Sequence, residues 1–286
     1  MYAHELIENI ETYYQHSQDE IDKLSLKKLK SAQHFHLGSF ADFGMLCKNM
    51  MNTKDYYFMG ALGMDVKSPF ENITIQYNMT ENDYSISDIE TLLCPKKIVI
   101  SISQYDDGQI LQILRFDKNH NEKKWSTNNF ILEVDMGILP GIRLLTPKGF
   151  KATDEDKKNL LKSTYTNSTI WAVNAFLMLI NTKNITTINN SPPSKLNKKR
   201  IKNGKQPLFT YKTLRLQLPA KKRKKGEGPA KIGDNTTRLH LCRGHFKTYT
   251  EDAPLLGRFT GRYWWQPHAR GNVSEGVVAK DYKVVL

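Results

Sequence analysis

Hydrophobic residues in the first 30 positions recur at spacings of three and four, which is the period of an amphipathic helix. A polar break separates two such groups, Leu6, Ile7, Ile10, Tyr13 and Tyr14, and then Leu24, Leu26 and Leu29. The sequence therefore predicts that the first 30 residues are helical.

The pattern changes to strands at Ile73. Alternating or β-branched runs cover residues 73–77, 97–102, 109–116 and 130–134, and polar turn residues such as Asp106-Asp107-Gly108 lie between two of them. These runs predict an antiparallel meander. Thr153 is a helix-capping residue and is followed by three acidic residues, a pattern that predicts a helix from there to about Ile180. The second half of this helix is apolar on all sides, which indicates that it is buried.

The run Asn189-Asn190-Ser191-Pro192-Pro193 cannot continue a helix and predicts a boundary. Beyond it, residues 210–218 alternate as a half-buried strand between two basic segments. We expect an α+β fold in which an N-terminal helix-plus-antiparallel-sheet domain is followed by a basic, mainly β region. The expected units are a scaffold or specificity domain over 1–188, a basic linker over 189–206, and a basic, β-rich, nucleic-acid-engaging domain over 207–286.

The charge is concentrated in one third of the chain. The net charge is +13, but residues 191–286 hold 22 Lys and Arg against 6 Asp and Glu, and residues 1–190 carry a net −3. A basic excess confined to one region indicates binding to a polyanion.

The cysteines, the apolar runs and the N-terminal residues indicate which cellular compartment we expect. Cys47, Cys94 and Cys242 are widely spaced without a C-x-x-C pair, so we expect neither disulfides nor a metal site. The longest apolar run, residues 175–180, is far shorter than the roughly 20 residues of a membrane span. The first residues lack the basic and apolar regions of a secretory signal. We therefore expect a cytoplasmic protein without a membrane partner.

The densest chemical candidates lie near residues 238–249. We take as a candidate catalytic set His240, Arg243, His245, Lys247 and His268. A bulge at Gly244 would bring several of these around one space, where two imidazoles serve as acid and base and cations stabilise an oxyanion. The same residues could instead hold a phosphate without any chemistry.

A second set combines cations with aromatic rings, as proteins that bind single strands do. The candidate nucleic-acid-binding residues are Lys198, Lys199, Arg200, Lys205, Lys221, Lys222, Arg223, Arg258, Arg262, Tyr263, Trp265 and Arg270. Alternation places Tyr263 and Trp265 on the side opposite Trp264, so we expect at least one tryptophan in the core.

Four motifs of the last 90 or so residues resemble those of a family of uncharacterised phage- and prophage-encoded proteins. They are Leu196-Asn197-Lys198-Lys199-Arg200 with Gly204-Lys205-x-Pro207-Leu208-x-x-Tyr211, His240-x-x-Arg243-Gly244-His245-x-Lys247, Trp265-x-x-His268-x-Arg270-Gly271, and Gly276-Val277-Val278-x-Lys280-x-Tyr282. The resemblance implies a setting of phage conflict, such as a toxin, an anti-phage effector or a counter-defence protein. It brings no defined activity.

Three functions follow as hypotheses. The first is an RNA-directed effector or toxin that cleaves or modifies its target. Modification by ADP-ribosyl transfer would use NAD, although no Ser-Thr-Ser stretch or Glu-x-Glu pair is present; otherwise no cofactor is expected. The second is a non-catalytic nucleic-acid-binding protein. The third is a basic docking surface for an acidic protein such as an antitoxin or inhibitor.

Overall fold

The computed structural model describes residues 2–13, 20–39, 68–78, 97–105, 110–118, 124–127, 131–135, 141–145, 153, 155, 158–159, 164–217, 238–242, 245–265, 268–270 and 272–277. The helices are α1 Tyr2–Tyr13, α2 Glu20–Ser31, α3 Thr164–Ile180 and α4 Ser194–Lys202. The strands are β1 Gln33–Ser39, β2 Asn72–Asn78, β3 Lys97–Tyr105, β4 Ile110–Lys118, β5 Ser126–Thr127, β6 Ile131–Asp135, β7 Gly141–Leu145, β8 Ile185–Asn190, β9 Tyr211–Leu216, β10 Arg238–Cys242, β11 His245–Tyr249, β12 Gly261–Trp265, β13 His268–Arg270 and β14 Asn272–Val277. The fold is α+β, as the sequence predicts.

The strands β1 to β9 form one large sheet in the order β7-β6-β4-β3-β2-β1-β9-β8, with β5 paired to β4. The strands β2, β3, β4 and β6 are antiparallel neighbours, which confirms the predicted meander, and β7, which the sequence did not predict, extends it antiparallel to β6. In contrast, β1 runs parallel to both β2 and β9. The sheet is therefore mixed, and β1 joins the meander to the β8–β9 pair.

Both faces of this sheet are covered by helices. Alternate side chains of a strand point to opposite faces, so Ile98 and Ile100 of β3 pack with the apolar helix α3, and Val99 packs with α1 and α2. The predicted buried helix before Ile180 is confirmed as α3. Its predicted start at Thr153 lies in a stretch of which the structure describes only single residues. Within the described residues, no helix is long and apolar enough to cross a membrane.

A network of ion pairs fixes α1 on the sheet. Lys97 of β3 donates to Glu5 of α1 at 3.0 Å, and Lys118 of β4 pairs with the other oxygen of the same carboxylate. Lys30 of α2 pairs with Glu11 of α1. The acidic side of α1, formed by Glu5, Glu8 and Glu11, is thus engaged by cations from several elements.

The region that the sequence assigns to a boundary and a linker has regular structure. β8 pairs antiparallel with β9 from Ile185↔Leu216 to Asn190↔Tyr211, and β9 also pairs with β1. The basic segment between β8 and β9 is the helix α4 instead of an extended linker. β9, which the sequence places in the C-terminal unit, is part of the large sheet. Pairing between distant strands leaves no local signal, which explains this difference.

The C-terminal strands form two small sheets, β13-β10-β14 and β11-β12. The β11–β12 hairpin is docked on the turn between α3 and β8, because the Asn184 side chain bonds both backbone groups of Trp264, at 2.7 and 2.8 Å. The Trp264 ring is 1% exposed and lies 4.6 Å from the ring of Phe246. This confirms that one tryptophan of the aromatic segment belongs to the core.

The sequence His34-Phe35-His36 lies in β1, where Phe35 faces the core and His34 is 4% exposed under α1. His34 Nδ1 lies 2.6 Å from Thr74 Oγ1. Burial, and secondarily the proximity of His4, lowers the pKa of His34 from 6.5 to about 4. The folded protein therefore holds this imidazole neutral at neutral pH.

This lowered pKa predicts a loss of stability in acid. Between pH 6.5 and about 4, His34 is protonated in the unfolded chain but stays neutral in the folded chain. Its contribution to the free energy of unfolding is therefore complete above pH 6.5 and is lost as the pH falls toward about 4. Urea unfolding at about pH 7.5 and about pH 5 should show a decrease that is about 2 kcal/mol larger in the wild type than in His34→Asn. An equal decrease in wild type and His34→Asn would contradict the assignment.

Candidate nucleic-acid interface

The helix α4 begins directly after Pro193 and ends at Asn203, followed by Gly204 at φ +68°, a left-handed conformation that glycine adopts without strain. Its nine residues are too few for an isolated helix to be stable in water. Contacts with the rest of the protein must therefore hold it.

Four lysines of α4 share one face. Lys195, Lys198, Lys199 and Lys202 follow the spacing i, i+3, i+4 and i+7, which aligns side chains along one side of a helix. All four are exposed, and α4 contains no acidic residue. Lys205, in the loop after the helix, is exposed as well. We call the four helical residues the lysine face of α4.

The opposite side of α4 is fixed to the protein body. Asn197 exchanges two hydrogen bonds with Leu208: its Nδ2 donates to the carbonyl oxygen at 3.1 Å, and its Oδ1 accepts from the backbone N–H at 2.8 Å. These bonds tie the loop after α4 back to the helix. They also turn the lysine face outward.

Arg200 is on this anchored side. Its Nη2 pairs with the Glu8 carboxylate of α1 and lies 2.8 Å from His4 Nε2, and its Nε donates to the Gln206 carbonyl at 2.9 Å. The Arg200 side chain is 20% exposed. The sequence predicts Arg200 to bind nucleic acid; the structure places it in a contact with the acidic side of α1.

The aromatic candidates lie on the β11–β12 hairpin. Register places His245 opposite Trp265 and Lys247 opposite Tyr263, so these four residues share one face, while Trp264 occupies the other as alternation predicts. His245 and Lys247 are exposed. Tyr263 is only 6% exposed and packs edge-on to Tyr249, and Trp265 is half-buried. Stacking of a base on Tyr263 is therefore blocked in this conformation.

The candidate catalytic residues are divided between two strand pairs. His240 lies opposite Arg270, and Cys242 opposite His268, in the β10–β13 pair. His245 lies opposite Trp265, and Lys247 opposite Tyr263, in the β11–β12 pair. Gly244, at which the sequence predicts a bulge, lies outside the described residues, so the assembly of these side chains around one space stays a prediction.

No family model, curated protein or solved structure matches this chain.

The remaining candidates lie on or beside the C-terminal strands, or outside the described residues. Arg258 is exposed with its guanidinium carbon 4.2 Å from the centre of the Phe259 ring, Arg262 is half-buried, and Arg270 is exposed. Outside the described residues lie Lys221, Lys222, Arg223 and Arg243. Among the residues that the structure does describe, no group of three or more His, Cys, Asp or Glu is arranged to hold a metal ion.

Sequence reasoning missed two members of the lysine face, Lys195 and Lys202. The signal was present in the helical spacing of lysines across residues 195–202. It was hidden because the segment was taken as a linker, in which spacing has no meaning.

The anchoring of α4 is testable by removing the Arg200 guanidinium. Arg200→Met loses the ion pair with Glu8 and the bond to the Gln206 carbonyl, and we expect a loss of about 1–2 kcal/mol in the free energy of unfolding. Amide hydrogen exchange within α4 should become faster. Lys199→Met removes the same charge from the exposed side and should change neither quantity. Equal effects of the two substitutions would show that Arg200 is not an anchor.

Proposed function

We propose that this protein binds nucleic acid, with RNA favoured, through the lysine face of α4. The observation that supports the proposal is the separation of charges on this helix. Its single arginine, Arg200, contacts Glu8 and His4 of α1. The four residues of the lysine face are all exposed to solvent.

The dimensions of the lysine face suit a phosphate backbone. From Lys195 to Lys202 the helix rises by roughly 10 Å, and successive turns are about 5.4 Å apart. Each ammonium is a compact charge with three donors on a flexible stem, so it can follow phosphates without fixed geometry. The absence of carboxylates from α4 means that nothing on the helix repels a polyanion.

Single-stranded RNA is favoured over duplex DNA because α4 lacks side chains that read base edges. Helices in a major groove use Arg, Asn and Gln for bidentate contacts with bases. In α4 these residue types are Asn197 and Arg200, and both are engaged with the protein itself. The lysine face therefore supplies positioning contacts, and base contacts must come from another surface.

The biological setting comes from the resemblance to phage- and prophage-encoded proteins. We propose that the bound strand is a target in a conflict between phage and host, with this chain as an effector or toxin. Cleavage or modification by His240, Arg243, His245, Lys247 and His268 would follow binding. The non-catalytic alternative requires only the binding surface.

The test is the salt dependence of binding to single-stranded RNA. Removing two phosphate contacts lowers the steepness of log affinity against log salt by about 1.4, because each contact on a single strand contributes about 0.7. We expect this decrease for Lys198→Gln combined with Lys199→Gln, a pair that preserves helix propensity. The variant Lys27→Gln with Lys158→Gln removes the same net charge from exposed positions outside α4. Equal slopes for these two variants would refute a role of α4 beyond general charge.

A further inference from the structure

The strand β8 forms one edge of the large sheet, because it ends the pairing order and has β9 on one side only. The β8–β9 register, extended by one residue, places Asn184 opposite Gln217, and the N–H of Gln217 donates to the Asn184 carbonyl at 2.7 Å. Opposite residues of an antiparallel pair alternate between hydrogen-bonded and non-hydrogen-bonded positions. The even-numbered residues of β8 therefore bond to β9, and the backbone groups of Ile185, Thr187 and Asn189 point away from the sheet. We call these backbone groups the outer edge of β8.

The outward series begins with a position that is already paired. Lys183, two residues before Ile185, belongs to the same series, and its N–H donates to the carbonyl of Arg262 in β12 at 2.9 Å. Beyond this bond, no strand in the described part of the chain pairs with the outer edge of β8. Ile185, Thr187 and Asn189 thus present three N–H donors and three carbonyl acceptors in a row.

The outer edge of β8 lacks the features by which proteins protect such strands. Natural edges carry charged side chains, proline or a bulge, which prevent pairing with another chain. β8 contains no charged residue and no proline, and its register with β9 is regular throughout. Thr187, Ile188 and Asn189 are exposed in succession, although neighbouring side chains of a strand lie on opposite faces. Both faces are therefore accessible at the edge, as an added strand requires.

The charge around the outer edge is positive on both faces of the sheet. Lys212 of β9 lies opposite Asn189, and its Nζ donates to Asn189 Oδ1 at 2.7 Å. Arg215 of β9, three residues on and therefore on the other face, is exposed. Lys183, which precedes the strand, is exposed as well. Residues 157–226 contain no Asp or Glu, so this segment supplies no carboxylate of its own.

We propose that an acidic, extended segment of a partner protein binds the outer edge of β8 as an additional strand; this does not rest on nucleic-acid binding by α4. The backbone of a peptide strand alternates donors and acceptors as the edge does, and strand addition of this kind is a common mode of peptide recognition. A nucleic-acid backbone presents mainly phosphate acceptors, so it would not match the carbonyls of the edge.

The cations of β9 select the partner. Carboxylates of an added strand would face Lys212 on one side of the sheet and Arg215 on the other, and opposite charges on neighbouring strands stabilise a pair. A second copy of this chain is disfavoured, because pairing of two β8 edges would bring like charges together.

The first experiment measures the binding of the full chain to a synthetic peptide of about eight residues in which valine and glutamate alternate. The matched probe is the same peptide with every backbone amide N-methylated, which keeps the charge and length but removes the donors. We expect the unmodified peptide to bind about tenfold more tightly, because the methylated one leaves the edge carbonyls unpaired. Equal binding of the two would overturn strand addition. A peptide with lysine in place of glutamate should not bind, and its binding as tightly as the acidic peptide would overturn the choice of an acidic partner.

Amide hydrogen exchange tests the same geometry residue by residue. When the acidic peptide binds, exchange should slow about tenfold at the outward amides of Ile185, Thr187 and Asn189. The amides of Thr186 and Ile188 already donate to β9 and should change little. Equal slowing at all five positions, or slowing at none, would contradict an added strand.

The matched variants are Thr187→Pro and Thr187→Val. Proline removes the outward N–H, at a position where an edge strand tolerates it, whereas valine keeps this donor. Thr187→Pro should bind the acidic peptide about tenfold more weakly than Thr187→Val, and equal affinities would overturn the proposal. If Thr187→Pro does not fold, the methylated probe and the exchange pattern of the wild type decide. In sedimentation without peptide we expect a monomer; a dimer that Thr187→Pro dissociates would assign the edge to a second copy instead.

Discussion

The acidic side of α1 is the constraint on which the candidate interface depends. Its three carboxylates meet cations from different parts of the chain, with Glu5 held by Lys97 and Lys118 of the sheet and Glu8 held by Arg200 of α4. Glu11 accepts from Gln206 Nε2 at 2.9 Å, just beyond α4. The first helix of the chain thus fixes a helix that begins almost 200 residues later. Without these carboxylates, α4 would keep only the Asn197–Leu208 hydrogen bonds as side-chain anchors among those described above, and nine residues are too few for a helix to be stable without such support.

This arrangement separates two uses of positive charge. A cation that faces a carboxylate at close range orders the fold, and its charge is largely neutralised for any distant ligand. A cation that faces solvent adds little to stability but attracts a polyanion. Within α4 the division follows the helical period, with Arg200 on one side and the lysine face on the other. Arginine is the better anchor because its planar guanidinium serves Glu8, His4 and the Gln206 carbonyl together.

The local elements were largely predictable from the sequence, whereas their assembly was not. Periodicity indicated the helical character of the first 30 residues, the buried helix α3 and the meander strands β2, β3, β4 and β6, because each buries a regular set of apolar side chains. The parallel pairing of β1 with β2 and β9 depends on residues far apart in the chain, and no local period records it. Alternation correctly placed Trp264 in the core, but it could not show that Tyr263 is buried on the other face. The role of Arg200 was hidden for the same reason: its partner, Glu8, is 192 residues away.

The high net positive charge of the C-terminal region indicates that it binds a polyanion. The structure changes which residues are available for such a contact. In the sequence, aromatic residues that alternate with arginines suggest rings accessible to bases. In the folded hairpin, however, Trp264 and Tyr263 are buried. The cations that face solvent together among the described residues of this region are instead the lysines of α4, and they carry the inference to a polyanion.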